Sequence, residues 1–171
     1  QLMKDSGEIV AVESDDRRIG KLRENVSRLG HNSVRIVHAD VGVLEQSGFD
    51  RILLDAPCSS IGVIRRNPDV KYRHSEKDIA RYHIVQLDLL NAVSRLLKTG
   101  GTMVYSVCST EPEEGEDVIE EFLQQKPNFS IIKGDYDFMR PFESPEGFYR
   151  TFPHTHGMDG FFAARLKKKA E

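Results

Sequence analysis

At 171 residues the chain has the size of one domain, long enough to bury a core and too short for two large ones. Hydrophobic residues at 39%, charged residues at 30%, 13 Gly and 7 Pro exclude a disordered chain and a disulfide scaffold. A net charge of −3 excludes a protein that coats nucleic acid by bulk charge, and no apolar run approaches the roughly 18 residues of a membrane-spanning helix.

The elements alternate between apolar runs and segments of helical period, which predicts an α/β domain with a mainly parallel sheet over residues 1–171. Gly7 to Glu13 is expected to be a strand, followed by a helix capped by Ser14 and Asp15, with Ile19, Leu22 and Val26 on one face and Gly30 as its stop. Val34 to His38 and Phe49 to Leu54 are the next strands, closed by Ala39-Asp40 and by Asp55-Ala56-Pro57-Cys58. A polar loop leads into a helix from about Glu76 to Leu97, with Ile79, Ile84, Leu87, Leu90, Val93 and Leu97 toward the core and Lys98-Thr99-Gly100-Gly101 ending it. Thr102 to Val107 is the fourth strand and runs into Cys108; an acidic helix from about Glu113 to Gln125 and strands at Phe129 to Ile132 and Gly160 to Leu166 complete the domain. The acidic helix is read as a solvent face, and Lys167-Lys168-Lys169 as a solvated terminus.

Ligands of open α/β sheets bind beyond the carboxyl ends of the strands, and three successive strands end there in a carboxylate: Glu13, Asp40 and Asp55. Acids at such positions accept from ribose hydroxyls and reach an adenine amine, so they predict an adenosine-containing cofactor without deciding between a dinucleotide and S-adenosylmethionine. Cys58 and Cys108 follow strands joined by one crossover helix, so these strands are expected to be parallel neighbours about 4.8 Å apart with both thiols at the ligand edge. Two cysteines fifty residues apart, with no apolar leader segment in view, are read as cytoplasmic and catalytic rather than as a disulfide. Charge is distributed unevenly: Val63 to Arg81 holds six basic residues against three acidic ones, a candidate phosphate-contacting stretch. His154 and His156 lack a third ligand, and no metal is expected.

Asp55-Ala56-Pro57-Cys58-Ser59-Ser60, the stretch Gly62-Val63-Ile64-Arg65-Arg66-Asn67-Pro68-Asp69-Val70-Lys71, and Tyr105-Ser106-Val107-Cys108-Ser109 closely resemble the paired cysteine motifs of the RNA (cytosine-C5)-methyltransferases. The Ile-Arg-Arg stretch and the closing Phe152-Pro153-His154 to Gly160-Phe161-Phe162 segment are most similar to the Sun/Fmu branch, which acts on small-subunit ribosomal RNA. The resemblance implies a Rossmann-like class I S-adenosylmethionine-dependent methyltransferase sheet and a cytosine in RNA, most naturally 16S rRNA, single-stranded or flipped from its stack. It implies that Cys108 adds to carbon 6 of the base and that Cys58 helps remove the C5 proton. Asp55 hydrogen-bonds the cytosine edge, with Glu13, Asp40 and Asp55 toward the cofactor and Arg65, Arg66 and Lys71 toward RNA.

In the family a further strand with a Gly-rich loop precedes the segment at which this sequence begins. The chain is therefore expected to be a catalytic domain lacking its first strand and that loop, and to bind cofactor weakly or not at all without the upstream segment of the same protein. Competing expectations are a non-catalytic RNA-binding or interaction fragment, a tRNA-directed member of the family, and a nicotinamide-dependent dehydrogenase; the last has no use for the Cys58–Cys108 pair.

Overall fold

The structure, a computed structural model, describes residues 3, 4, 6–134 and 136–170, and the chain divides into two compact units, 1–46 and 47–171. In the first unit β1 (Ile9–Glu13) and β2 (Val34–His38) pair in parallel, with Glu13 opposite His38, and α1 (Asp16–Leu29) is the crossover between them. The caps foreseen in the sequence are formed. Asp15 accepts the Arg17 amide proton at 2.7 Å, and Gly30 ends the helix in the left-handed conformation at φ 66°, where a side chain would be strained. Beyond β2 the Asp40 carboxylate accepts from the Gly42 amide at 2.6 Å and starts a short 3-10 turn.

The second unit contains β3 (Phe49–Asp55), α2 (Glu76–Leu96), β4 (Leu97–Val107), α3 (Glu116–Gln125), β5 (Phe129–Ile131), β6 (Phe148–Thr151), α4 (Pro153–His156) and β7 (Phe161–Lys168). Its sheet has the order β3-β4-β7-β5. β3 and β4 are parallel, as the single crossover helix requires, β7 is antiparallel to β4, and β5 and β6 divide the other edge of β7 between them. Alternation along the strands sends Met103, Tyr105 and Val107 of β4 and Phe162, Ala164 and Leu166 of β7 to one buried face. Leu90, Val93 and Leu96 of α2 and Val118, Ile119 and Phe122 of α3 make up the helical part of the core.

Several expectations are corrected. Ile84 of α2 is 61% exposed, while Gln86 is fully buried in phase with Leu90, Val93 and Leu97. Helical period alone selects the wrong side here because the buried stripe includes a polar residue with internal partners. Lys98 to Gly101 do not form a turn that ends α2; β4 starts at Leu97 and pairs it with Phe49, then shifts register before Thr102 meets Arg51. β6 has no counterpart in the sequence reading. β7 begins at Phe161 rather than Gly160 and continues to Lys168; Lys167 and Lys169 are exposed, as expected, but Lys168 is not. The Lys168 ammonium donates to the Ser94 and Leu97 carbonyls at 3.1 and 2.9 Å, a cation at the carboxyl end of α2. The acidic stretch is a 3-10 turn, Pro112–Glu114, followed by α3, and it is not simply a solvent face: Glu114 is fully buried and Glu116 is bonded to Arg150. Among the described residues no helix is long and apolar enough to cross a membrane.

Candidate active site

β3 and β4 run in register to their carboxyl ends, Asp55 opposite Ser106, and the pairing continues one residue further as the Ala56 amide donates to the Ser106 carbonyl at 3.0 Å. The loop after β3 and the end of β4 then bring two free, half-buried thiols together, with Cys58 Sγ 3.2 Å from Cys108 Sγ. Ser60 completes the cluster, its Oγ 3.4 Å from Cys108 Sγ. It adopts the left-handed conformation at φ 61°, which a residue with a Cβ rarely accepts unless its surroundings enforce it.

Those surroundings are backbone. The Gly62 amide donates to the Cys108 carbonyl at 3.0 Å, and the Gly160 amide donates to the Gly62 carbonyl at 2.7 Å. A Cβ on Gly62 would lie 2.0 Å from the Gly160 carbonyl oxygen, so only glycine lets the three segments meet.

The two sulfurs are not equivalent. Hydrogen bonding from Cys58, aided by Ser60, pulls the Cys108 thiol down to about 6, against burial and the nearby Asp55 charge. The hydrogen bond to Cys108 pushes the Cys58 thiol well up, with burial and the Cys108 charge acting in the same direction. The hydrogen bonding thus favours the thiolate at Cys108 and the thiol at Cys58.

Behind Cys58 lies a polar cluster that the sequence reading did not single out. Glu114 accepts from the Ser59 amide at 2.7 Å, from the Ser59 hydroxyl at 2.5 Å and from Gln86 Nε2 at 3.2 Å. Tyr105 donates its hydroxyl to the Glu114 carbonyl at 2.7 Å, and burial, then the Glu114 charge, push its phenol far up so that it stays a donor. One signal in the sequence could have found Gln86, a polar residue in phase with the apolar stripe of α2; Glu114, one acid in a run of acids, has none.

The other expected residues fall as follows. Asp55 is exposed at the end of β3 and accepts from Ser106 Oγ at 3.4 Å. Glu13 and Asp40, both in the first unit, end or follow β1 and β2; Glu13 Oε1 accepts from the Asp15 amide at 2.9 Å and is paired with Arg18 at 3.0 Å. Arg65 and Arg66 both face the buried Asp159, with Arg66 at 2.5 Å and Arg65 at 4.0 Å, and Arg65 also donates to the Gly157 carbonyl. Lys71 lies 4.7 Å from the centre of the Tyr72 ring. A cleft of about 460 Å³ opens on Cys58 and Ser60, walled by Asn67, Arg73, His74 and Tyr82. His156 Nδ1 accepts from the Phe152 amide at 2.9 Å, and its ring packs on Phe142, which gives it a structural role.

Comparison with known proteins places this geometry in context. The family model described as 16S rRNA methyltransferase RsmB/F matches residues 1–167. The chain is 38% identical over 180 residues to the probable ribosomal RNA small subunit methyltransferase B of Bacillus subtilis, covering 99% of this chain and 39% of that protein. It is 39% identical over 184 residues to the human 28S rRNA (cytosine(4447)-C(5))-methyltransferase, covering 98% and 22%. Among solved structures, PH0851 superposes with a TM-score of 0.88 at 36% identity, over 98% of this chain and 38% of that one. NSun6 from Pyrococcus horikoshii with SFG does so at 0.87 and 30%, over 100% and 44%. The chain thus spans about two fifths, or less, of the length of these curated relatives.

Proposed function

The chain belongs to the 16S rRNA methyltransferase RsmB/F family, the Sun/Fmu branch, and from that premise we propose that it carries the catalytic residues for methylating C5 of a cytosine in RNA, small-subunit ribosomal RNA in the first instance. The observation that supports this best is the pair of unequal thiols 3.2 Å apart at the carboxyl ends of β3 and β4. Carbon 5 of cytosine is a poor nucleophile, and a thiolate bonded to carbon 6 turns it into the end of an enamine.

In this reading Cys108 is the nucleophile. Its sulfur bonds to C6 and the C5–C6 electron pair becomes available at C5; Asp55 hydrogen-bonds the cytosine edge and, when it carries a proton, donates it toward N3 as charge builds there and takes it back on release. S-adenosyl-L-methionine supplies, when bound, a methyl group on a sulfonium; SFG, carried by the NSun6 structure, is an analogue of it. The acceptor carboxylates of Glu13, at the end of β1, and Asp40, after β2, have the chemistry that ribose hydroxyls and an adenine amine need and are assigned to the cofactor; Asp55, in the second unit, is assigned to it on the same chemical ground.

Once the Cys108 sulfur is bonded to carbon its charge is gone, and with it the hydrogen bond and the repulsion that keep Cys58 protonated. Cys58 can then lose its proton to water and act as the base. It takes the hydrogen from C5, the C–H pair re-forms the C5–C6 double bond, and the C6–S bond breaks to return Cys108 as thiolate. Arg65, Arg66 and Lys71 are assigned to the RNA backbone or bases beside this site.

The test is nucleoside mass spectrometry of ribosomal RNA incubated with the full-length protein and labelled S-adenosylmethionine. Labelled 5-methylcytidine is expected from the wild type and none from Cys108→Ala. A label on another atom, or undiminished product from Cys108→Ala, contradicts the proposal.

A further inference from the structure

A carboxylate with 0% exposure is costly unless it is paired and hydrogen-bonded, and no cation pairs with Glu114 among the described residues. Its donors all lead to one place. Ser59, the residue after Cys58, gives it both its amide and its hydroxyl, at 2.7 and 2.5 Å. Gln86 Nε2 divides its two protons between Glu114 Oε1 at 3.2 Å and the carbonyl of Pro57, the residue before Cys58, at 2.9 Å. One buried carboxylate therefore grips the Cys58 loop on both sides of the thiol. From the other direction the Tyr105 hydroxyl, at 2.7 Å from the Glu114 carbonyl, ties the same residue to β4, the strand that ends at Cys108.

This arrangement is kept at a cost. Gln86 Oε1 is buried with no hydrogen-bond partner among the described residues, because the amide is turned to satisfy its two acceptors, and a buried unsatisfied polar atom is destabilising. An apolar side chain would fill the same space on α2 without that loss, but it could not connect Pro57 to Glu114.

We propose that Glu114 is a positioning residue, anchored to β4 through its backbone carbonyl, whose buried carboxylate holds the Cys58 loop and so keeps Cys58 where it can take the C5 proton in the release step. The inference rests on the methyl-transfer reading above. Glu114 touches neither substrate nor the reacting atoms; it acts through Ser59 and Gln86. Besides Cys58 itself, the titratable or charged groups around the thiol pair are Asp55 at the end of β3, Tyr105 and Glu114 behind it, and Arg73, His74 and Tyr82 across the cleft.

The experiment compares wild type, Glu114→Gln and Gln86→Leu as full-length proteins, each checked for a cooperative melt, on unmodified RNA with S-adenosylmethionine. In Glu114→Gln, addition by Cys108 should survive while release slows by up to about a hundredfold, the scale of a misplacement of roughly 1 Å. The readout is a denaturant-stable protein–RNA complex that accumulates, with kcat lowered and KM for RNA unchanged. Release equal to wild type, or a parallel loss of addition and release, overturns the proposal. If Glu114→Gln does not fold, Gln86→Leu decides it: this variant keeps the Ser59 bonds and frees Pro57, and wild-type release in it overturns the proposal.

Site-resolved alkylation with iodoacetamide across pH judges the geometry even if the wild type fails to trap RNA carrying 5-azacytidine, the result that would remove the methyl-transfer reading instead. Loss of alignment deprives Cys108 of a donor and moves its midpoint up. Mere removal of a negative charge moves it down, so a downward or absent shift counts against positioning.

Discussion

Cys108 owes its chemistry to its neighbours. A thiol in an apolar pocket would be raised by burial, yet here the hydrogen bonds with Cys58 and Ser60 make the balance fall the other way. With its thiol pulled down to about 6, Cys108 is expected to be lost as a nucleophile as pH falls through that value. Alkylation of Cys108 should therefore be flat above pH 7 and decline below about 6, with Cys58 unreactive over the same range; a Cys108 midpoint near that of an ordinary thiol would contradict the account. The sequence made the cysteines and Asp55 legible because two motifs follow two strands. It could not reveal which sulfur is charged, since that depends on distances set by Ser60 and the loop, nor could it distinguish Glu114 from the six other acids between Glu111 and Glu121.

At the scale of elements, the Asp15 and Gly30 caps of α1 follow from residues close in sequence. The parallel pairing of β3 with β4, residues about fifty apart, was readable only because a single crossover helix joins them. β6 and the full length of β7 were not, because Phe148–Thr151 becomes a strand only by pairing with Phe161–Ala164. Gln86 was lost to the assumption that polar means outside. The junction of Gly62, Gly160 and the Cys108 carbonyl is likewise a meeting of distant segments. Gly62→Ala should destabilise the protein by about 1–3 kcal/mol, as overpacking of a tight contact does, and separate the thiols. Chemical denaturation measures the first effect and the Cys108 alkylation midpoint the second; unchanged stability and midpoint would mean that the junction yields freely.

Across this chain as a whole, a net charge of −3 coexists with a stretch of six basic residues, so the RNA contact proposed for it would rest on local charge rather than on bulk charge. Arg66 and Lys71 should separate on this point. Arg66 makes the short ion pair with Asp159, which is 2% exposed at its side chain, and Arg66→Ala should cost about 1–3 kcal/mol in stability by leaving that carboxylate only the longer contact to Arg65. Lys71 has no carboxylate partner among the described residues, and Lys71→Ala should leave stability unchanged while lowering the salt dependence of RNA binding by about 0.7 in log–log slope. Equal slopes for wild type and Lys71→Ala would remove it from the RNA contact set. The central claim is that Cys108, and not Cys58, bonds to the base. RNA carrying 5-azacytidine, incubated with the full-length protein and S-adenosylmethionine and then digested for peptide mass spectrometry, should yield a nucleotide attached to the peptide containing Cys108; attachment to the Cys58 peptide would contradict the account.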